Sequence, residues 1–226
     1  MDHGPDLLML EKMDVLTQRQ LQYLEDKYVT RTMKCVPEKF LEMCHMHLAF
    51  LLDLSGDKLE LLLSDYEHDS DKKKKLGLTN VAVFKRKSDL GKHASTPEDK
   101  ERYNKKKLSA LQLLMLLMPS PSQKMTLQLV RLLQRVADCV ETKMTPATLG
   151  TIFAPIFFLN RKVGASEVCS IVSLTEPAVA FMIENAHELF QAPKELVIDL
   201  ANYWNRLEKS SPSAECETSS DPHQIK

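Results

Sequence analysis

Apolar residues recur along most of this chain at intervals of three and four, the spacing that lines one face of a helix, so the pattern predicts an all-α protein. Leu8, Leu10, Met13, Leu16, Leu21 and Leu24 outline a first helix between Leu7 and Tyr28, although their phase drifts. Pro37 opens a better one, with Phe40, Leu41, Cys44, Leu48, Leu51 and Leu52 on its apolar face. Ser55-Gly56 breaks it, and Leu59 to Leu63 resumes as a short second helix. Val81 to Phe84 is the one strand-like run; without a pairing partner it reads as coil.

The strongest punctuation lies further on. Thr96-Pro97-Glu98-Asp99 combines a capping hydroxyl, a proline in the first turn and two acids at the positive end of the helix dipole. The helix it opens runs towards Met118 or divides at Lys105 to Lys107. Pro119 and Pro121 make a turn, and the next helix extends to about Thr142, with Met125, Leu129, Leu132, Val136 and Val140 as its expected buried stripe and Gln128, Arg131, Arg135 and Asp138 towards water. Thr145 and Pro146 start another, which Pro155 is expected to stop after about nine residues because it lacks a donor for the next turn. Ile156, Phe157, Phe158 and Leu159 are then expected in the core. A helix near Thr175 to Phe190 would bury Val179, Met182, Ile183, Ala186 and Phe190, and a last one from Pro193 would bury Leu196, Val197, Leu200 and Trp204.

Composition refines this picture. The 226 residues, 43% of them hydrophobic, suffice for one ordinary domain with tails. The net charge of −1 hides a segregation: residues 71–107 hold thirteen Lys or Arg against five Asp or Glu, a net of +8, which leaves −9 elsewhere. Residues 1–68 therefore read as an N-terminal helical region, 69–95 as a basic linker, 96–209 as a helical domain and 210–226, rich in Ser, Pro and acids, as a disordered tail. Within the linker, Lys72, Lys73, Lys74, Lys75, Lys85, Arg86 and Lys87 form a basic patch, either a solvated spacer or a contact for nuclear-import machinery or an anionic membrane. Five scattered cysteines, an acidic N-terminus and the lack of a long apolar run lead to the expectation of an intracellular protein with reduced thiols, cytoplasmic or additionally nuclear.

Catalytic chemistry is hard to find. Cys44-His45-Met46-His47, with Cys35 upstream, offers just one pair a helical turn apart, whereas structural zinc wants four convergent ligands, so no metal is expected. The glycines are dispersed and form no phosphate-cradling loop, and no nucleophile, base or metal constellation stands out. The chain therefore does not read as an enzyme with its own active site, and no cofactor and no nucleic-acid partner are expected.

Several separated motifs carry a family resemblance. Ser109-Ala-Leu-Gln-Leu-Leu, the proline turn, Leu132-Leu-Gln-Arg-Val-Ala137 and Lys143-Met-Thr-Pro-Ala-Thr-Leu-Gly-Thr-Ile-Phe-Ala-Pro155 occur in order. Together they resemble the second half of a Rho GTPase-activating (RhoGAP) domain, whose motif here is N-K-M-T-x-x-N-L-A-x-x-F-x-P-x-L-L. The resemblance continues through Ala180 to Pro193 and, more weakly, covers Pro37 to Leu63. It implies a helical bundle like the C-terminal half of that domain, and as partner a GTP-bound Rho-family small GTPase in signal transduction. Residue by residue, Thr148 stands where the family has an asparagine facing the GTPase, and Ile156 replaces the asparagine after the family proline. The family's arginine finger sits in a G-[IL]-F-R-x-x-G segment that this sequence lacks, as it lacks the following L-K-x-[FY]-L-R-E-L-P-x-P-L segment. Val83-Phe84-Lys85-Arg86-Lys87 has no glycine and is a poor substitute. The expected function is regulation of Rho-family GTPases with impaired GTPase activation; the alternative is a helical interaction module without GTPase binding. Loss of the front half of such a domain would uncover an apolar face, to be covered by the helices of Pro37 to Leu63 or by self-association.

Overall fold

The computed structural model describes residues 17–57, 59, 96–158 and 165–210. Their regular elements are all helices, joined by short turns, with no strand among them. In chain order the helices are α1 (Gln18–Leu24), α2 (Thr30–Cys35), α3 (Pro37–Leu52), α4 (Pro97–Leu116), α5 (Ser120–Asp138), α6 (Pro146–Phe158), α7 (Ala165–Glu184) and α8 (Lys194–Ser210). The basic patch of residues 72–75 and 85–87, the run Val81 to Phe84, Leu159 and the tail beyond Ser210 lie outside the described residues.

The chain forms two compact units. One comprises the described residues up to Glu42 together with those from Lys194 onward; the other runs from Met43 to Pro193. These boundaries do not coincide with the changes in composition at 68, 95 and 209, and the division drawn from composition remains a proposal about sequence character.

In the first unit, Thr17 caps α1 and Gln20 returns a bond to the Thr17 backbone, a reciprocal capping box. A π-type turn, Glu25–Val29, joins α1 to α2 without a break. Its wider repeat rotates the face of the helix after Leu24 and leaves Leu24, Tyr28 and Val29 all buried; Leu8, Leu10, Met13 and Leu16 lie outside the described residues. Leu24, Tyr28 and Val29 meet α8, whose Leu196, Val197, Leu200 and Trp204 are buried as the spacing predicts, together with Ala201. Trp204 ties α8 to α2. Its indole Nε1–H donates to the Thr32 hydroxyl at 2.9 Å, and that hydroxyl donates to the Tyr28 carbonyl at 2.6 Å. The Arg31 guanidinium lies 3.9 Å from the centre of the Trp204 ring and pairs with Glu208 at 2.8 Å.

In the second unit, Leu48 and Leu52 of α3 are buried, as is Met43, which the spacing argument omitted, whereas Leu41 in the first unit is exposed. The helix ends at Asp53, whose positive φ turns the chain just ahead of the expected Ser55-Gly56 break. Thr96 caps α4, which continues through Lys105 to Lys107 without dividing. Lys107 keeps its stem inside and places its ammonium 4.2 Å from the Phe181 ring centre; burial lowers its pKa, opposed by nearby Glu184.

The core of this unit gathers Leu111 and Met115 of α4, Val130 and Leu133 of α5, Leu149, Ala154, Phe157 and Phe158 of α6, and Val179, Met182 and Ile183 of α7. Four expectations need correction here. The buried face of α5 is centred on Val130 and Leu133, one residue out of phase with the expected stripe: Met125, Leu132 and Val140 are exposed, while Leu129 and Val136 sit half-buried at the edge. Pro155 does not end α6, which runs on to Phe158. The proline removes one backbone bond, but the two phenylalanines that follow bury almost completely, and that gain of about 1.5–3 kcal/mol each exceeds the loss. Ile156, expected in the core, points outward. Finally, α7 begins at Ala165, passes through Pro177, and stops at Glu184 before a run of turns to Phe190, which is half-buried against the core.

Candidate functional site

The candidate site is the outer face of α6, and the α5–α6 connection shapes its beginning. After α5 a single 3-10 turn, Val140–Thr142, leads to Lys143, which holds left-handed dihedrals (φ 53°, ψ 20°) without being glycine. Such a conformation costs of order 1 kcal/mol and persists where neighbours fix it. Here Thr142 does the fixing: its hydroxyl lies 2.8 Å from both the Val136 and Cys139 carbonyls and 3.2 Å from the Met144 amide. Sequence spacing gave no hint of this turn, because nothing in the residue type of Lys143 signals a positive φ.

Thr145 then caps α6. Its hydroxyl accepts from the Thr148 backbone N–H at 3.1 Å and lies 2.9 Å from the Thr148 hydroxyl. Thr148 is exposed, and its side chain thus points outward from a position pinned at the helix start. Ile152 and Ile156 follow at intervals of four, 49% and 53% exposed. The two positions singled out by family resemblance, Thr148 and Ile156, therefore share one outward stripe about 12 Å long, with Ile152 between them. Ile152 is the residue the sequence reading missed; its spacing from Thr148 was the available signal.

The opposite face of α6 is held against α7. An added Cβ at Gly150 would lie 2.8 Å from the Glu176 carbonyl oxygen and 3.2 Å from the Ala180 amide nitrogen, so only glycine permits this approach. Both helices carry a proline, and in both the residue four places earlier turns its hydroxyl back onto the chain: Thr151 donates to the Ala147 carbonyl, Ser173 to that of Cys169. The stripe is thus presented by a helix fixed on its reverse side. It offers one hydroxyl pair and two branched apolar side chains, a surface suited to contact rather than to bond-making chemistry. Among the described residues no group of three or more His, Cys, Asp or Glu is placed to hold a metal ion.

Comparison with known proteins bears on what meets this stripe. Residues 88–162 match the RhoGAP domain. The match takes in α4, α5 and α6, and with them Thr148, Ile152 and Ile156. The chain is 34% identical to Rho GTPase-activating protein 19 of Gallus gallus over 119 residues, which is 52% of this chain and 22% of that protein. It is 33% identical to the protein of the same name from Xenopus laevis over the same length and share of each chain. The Homo sapiens protein is 31% identical over 114 residues, 50% of this chain and 22% of its own. The chain thus spans about a fifth of the length of the curated relatives it matches. No solved structure matches it significantly. The resemblance to RhoGAP proteins read from the motifs therefore holds, and the match starts beyond Arg86. Among the described residues no helix is long and apolar enough to cross a membrane.

Proposed function

We propose that this chain is a regulator of Rho-family small GTPases that meets the GTP-loaded protein through Thr148, Ile152 and Ile156 and supplies no catalytic arginine. The observation that carries the reading is the RhoGAP match over residues 88–162, within which these three residues form one exposed stripe. Catalysis is a separate matter. An arginine supplied in trans contributes roughly 10³ to 10⁵ in rate, because it meets charge developing on the phosphate oxygens. Positioning alone leaves that charge unmet. The chain is expected to accelerate GTP hydrolysis by less than about tenfold in single-turnover assays at saturating protein, with Arg86→Ala changing nothing measurable. Full acceleration that vanished in Arg86→Ala would overturn this part of the reading.

Binding is tested by pull-down with Rho-type and Rac-type proteins loaded with a GTP analogue or with GDP. Preference for the GTP form, weakened by Ile152→Asp, supports GTPase recognition. A second reading, an interaction module that does not bind GTPases, is favoured by the replacement of the family's asparagines by Thr148 and Ile156; equal recovery of neither nucleotide form would select it. For the basic patch of residues 72–75 and 85–87 we propose contact with an anionic membrane, at up to about 1 kcal/mol per basic residue. Neutralising it should shift the protein's distribution in cells, and an unchanged distribution would reduce it to a spacer.

A further inference from the structure

We propose that the outer edge of α5 is a docking surface for an acidic amphipathic helix carried by another protein. Met125, Leu129, Leu132 and Val136 recur at intervals of four, three and four, the seam spacing with which one helix receives another. The molecule's own core uses a different arc of the helix, centred on Val130 and Leu133, and leaves Met125 71% and Leu132 53% exposed. Among the described residues, Leu129 and Val136 pack in part against the core, and Met125 and Leu132 are left as the open side of this edge.

Charge decides the occupant. On the solvent side of the seam stand Lys124, Gln128, Arg131 and Arg135, all but the glutamine cationic, and all of Lys124, Arg131 and Arg135 exposed. The helix contains a single acid, Asp138, at its C-terminal end. In seam notation Arg135 flanks the contact, where a carboxylate on an incoming helix would meet it, with the neutral Gln128 one heptad earlier; Lys124 and Arg131 stand further out on the same side. A second copy of this chain would instead bring cations against cations, which disfavours self-pairing through this edge. An incoming helix with leucines at the matching spacing and glutamates beside them satisfies both features. This surface is distinct from the α6 stripe and does not depend on GTPase binding.

The test uses the full chain and a fluorescein-labelled synthetic peptide of about three heptads, with leucine at the seam positions and glutamate at the flanking ones. A peptide with lysine in place of glutamate and an acidic peptide with its leucines scattered serve as controls. Fluorescence anisotropy is expected to show binding of the seamed acidic peptide alone. Leu132→Ser, and separately Arg131→Glu with Arg135→Glu, should each weaken it by roughly tenfold or more, and the charge-reversed chain should turn its preference to the lysine peptide. All three positions are exposed, so unaltered circular dichroism and melting should accompany each variant. Equal binding of the scattered peptide, or affinity unchanged in these variants, would overturn the proposal and place any acidic binding on the basic segment of residues 72–87. Sedimentation showing self-association that Leu132→Ser abolishes would overturn it in favour of a second copy.

Discussion

Two buried residues make the case at the level of single side chains. Cys44 is fully enclosed, and burial pushes its thiol pKa up from 9.0 to about 12. The folded protein therefore keeps a proton that the unfolded chain releases, so this contribution to stability is present below pH 9 and is lost as pH rises from 9 towards 12. A thiolate is the reactive form, so at pH 8 the exposed Cys139 and Cys169 should react with a disulfide reagent in the native protein, and Cys44 only after denaturation. Labelling of Cys44 in the folded chain would contradict its enclosure. Thr32 is the other. Replacing it by valine keeps the shape but leaves the Trp204 N–H without its acceptor, at a cost of about 1–3 kcal/mol. Trp204 is the single tryptophan, so its fluorescence during denaturant unfolding reads this loss directly.

Among elements, the α6–α7 crossing carries the clearest consequence. Gly150→Ala drives a methyl into the Glu176 carbonyl and the α7 backbone, which cannot yield as a flexible side chain would. A destabilisation of about 1–3 kcal/mol is expected by urea titration, and a change near zero would mean the helices separate freely. Much of this architecture was legible. The cap at Thr96, the proline turn before α5, the cap at Thr145 and the spacing of α8 depend on local chemistry, and each appears as written in the sequence. What failed shares a cause. Pro155 and Pro177 sit inside helices because tertiary burial outweighs a lost backbone bond, and neighbouring residues do not reveal that balance. The phase error on α5 arose because the helix has two apolar arcs, one for the core and one facing outward, and periodicity registers both alike. On α6, Thr148 was found by motif and Ile152 was within reach by its spacing from Thr148, while the outward orientation of Ile156 required knowing that the helix continues through Pro155.

At the scale of the whole molecule, one unit is closed by residues 172 and 177 positions apart, through the Trp204–Thr32 hydrogen bond and the Arg31–Glu208 pair. Removing residues from Lys194 onward should therefore cost the N-terminal helices as well, because Leu24, Tyr28 and Val29 lose their apolar partners. Hydrogen exchange on the truncated chain is expected to show fast exchange across residues 18–35, and full protection there would refute the dependence. The same closure sets a clock on biosynthesis. Chains grow at about 5–20 residues per second, so some 9 to 34 seconds separate the emergence of Thr32 from that of Trp204. Throughout that interval α1 and α2 leave the ribosome with their apolar side bare, and they become a natural substrate for whatever chaperone waits at the exit tunnel.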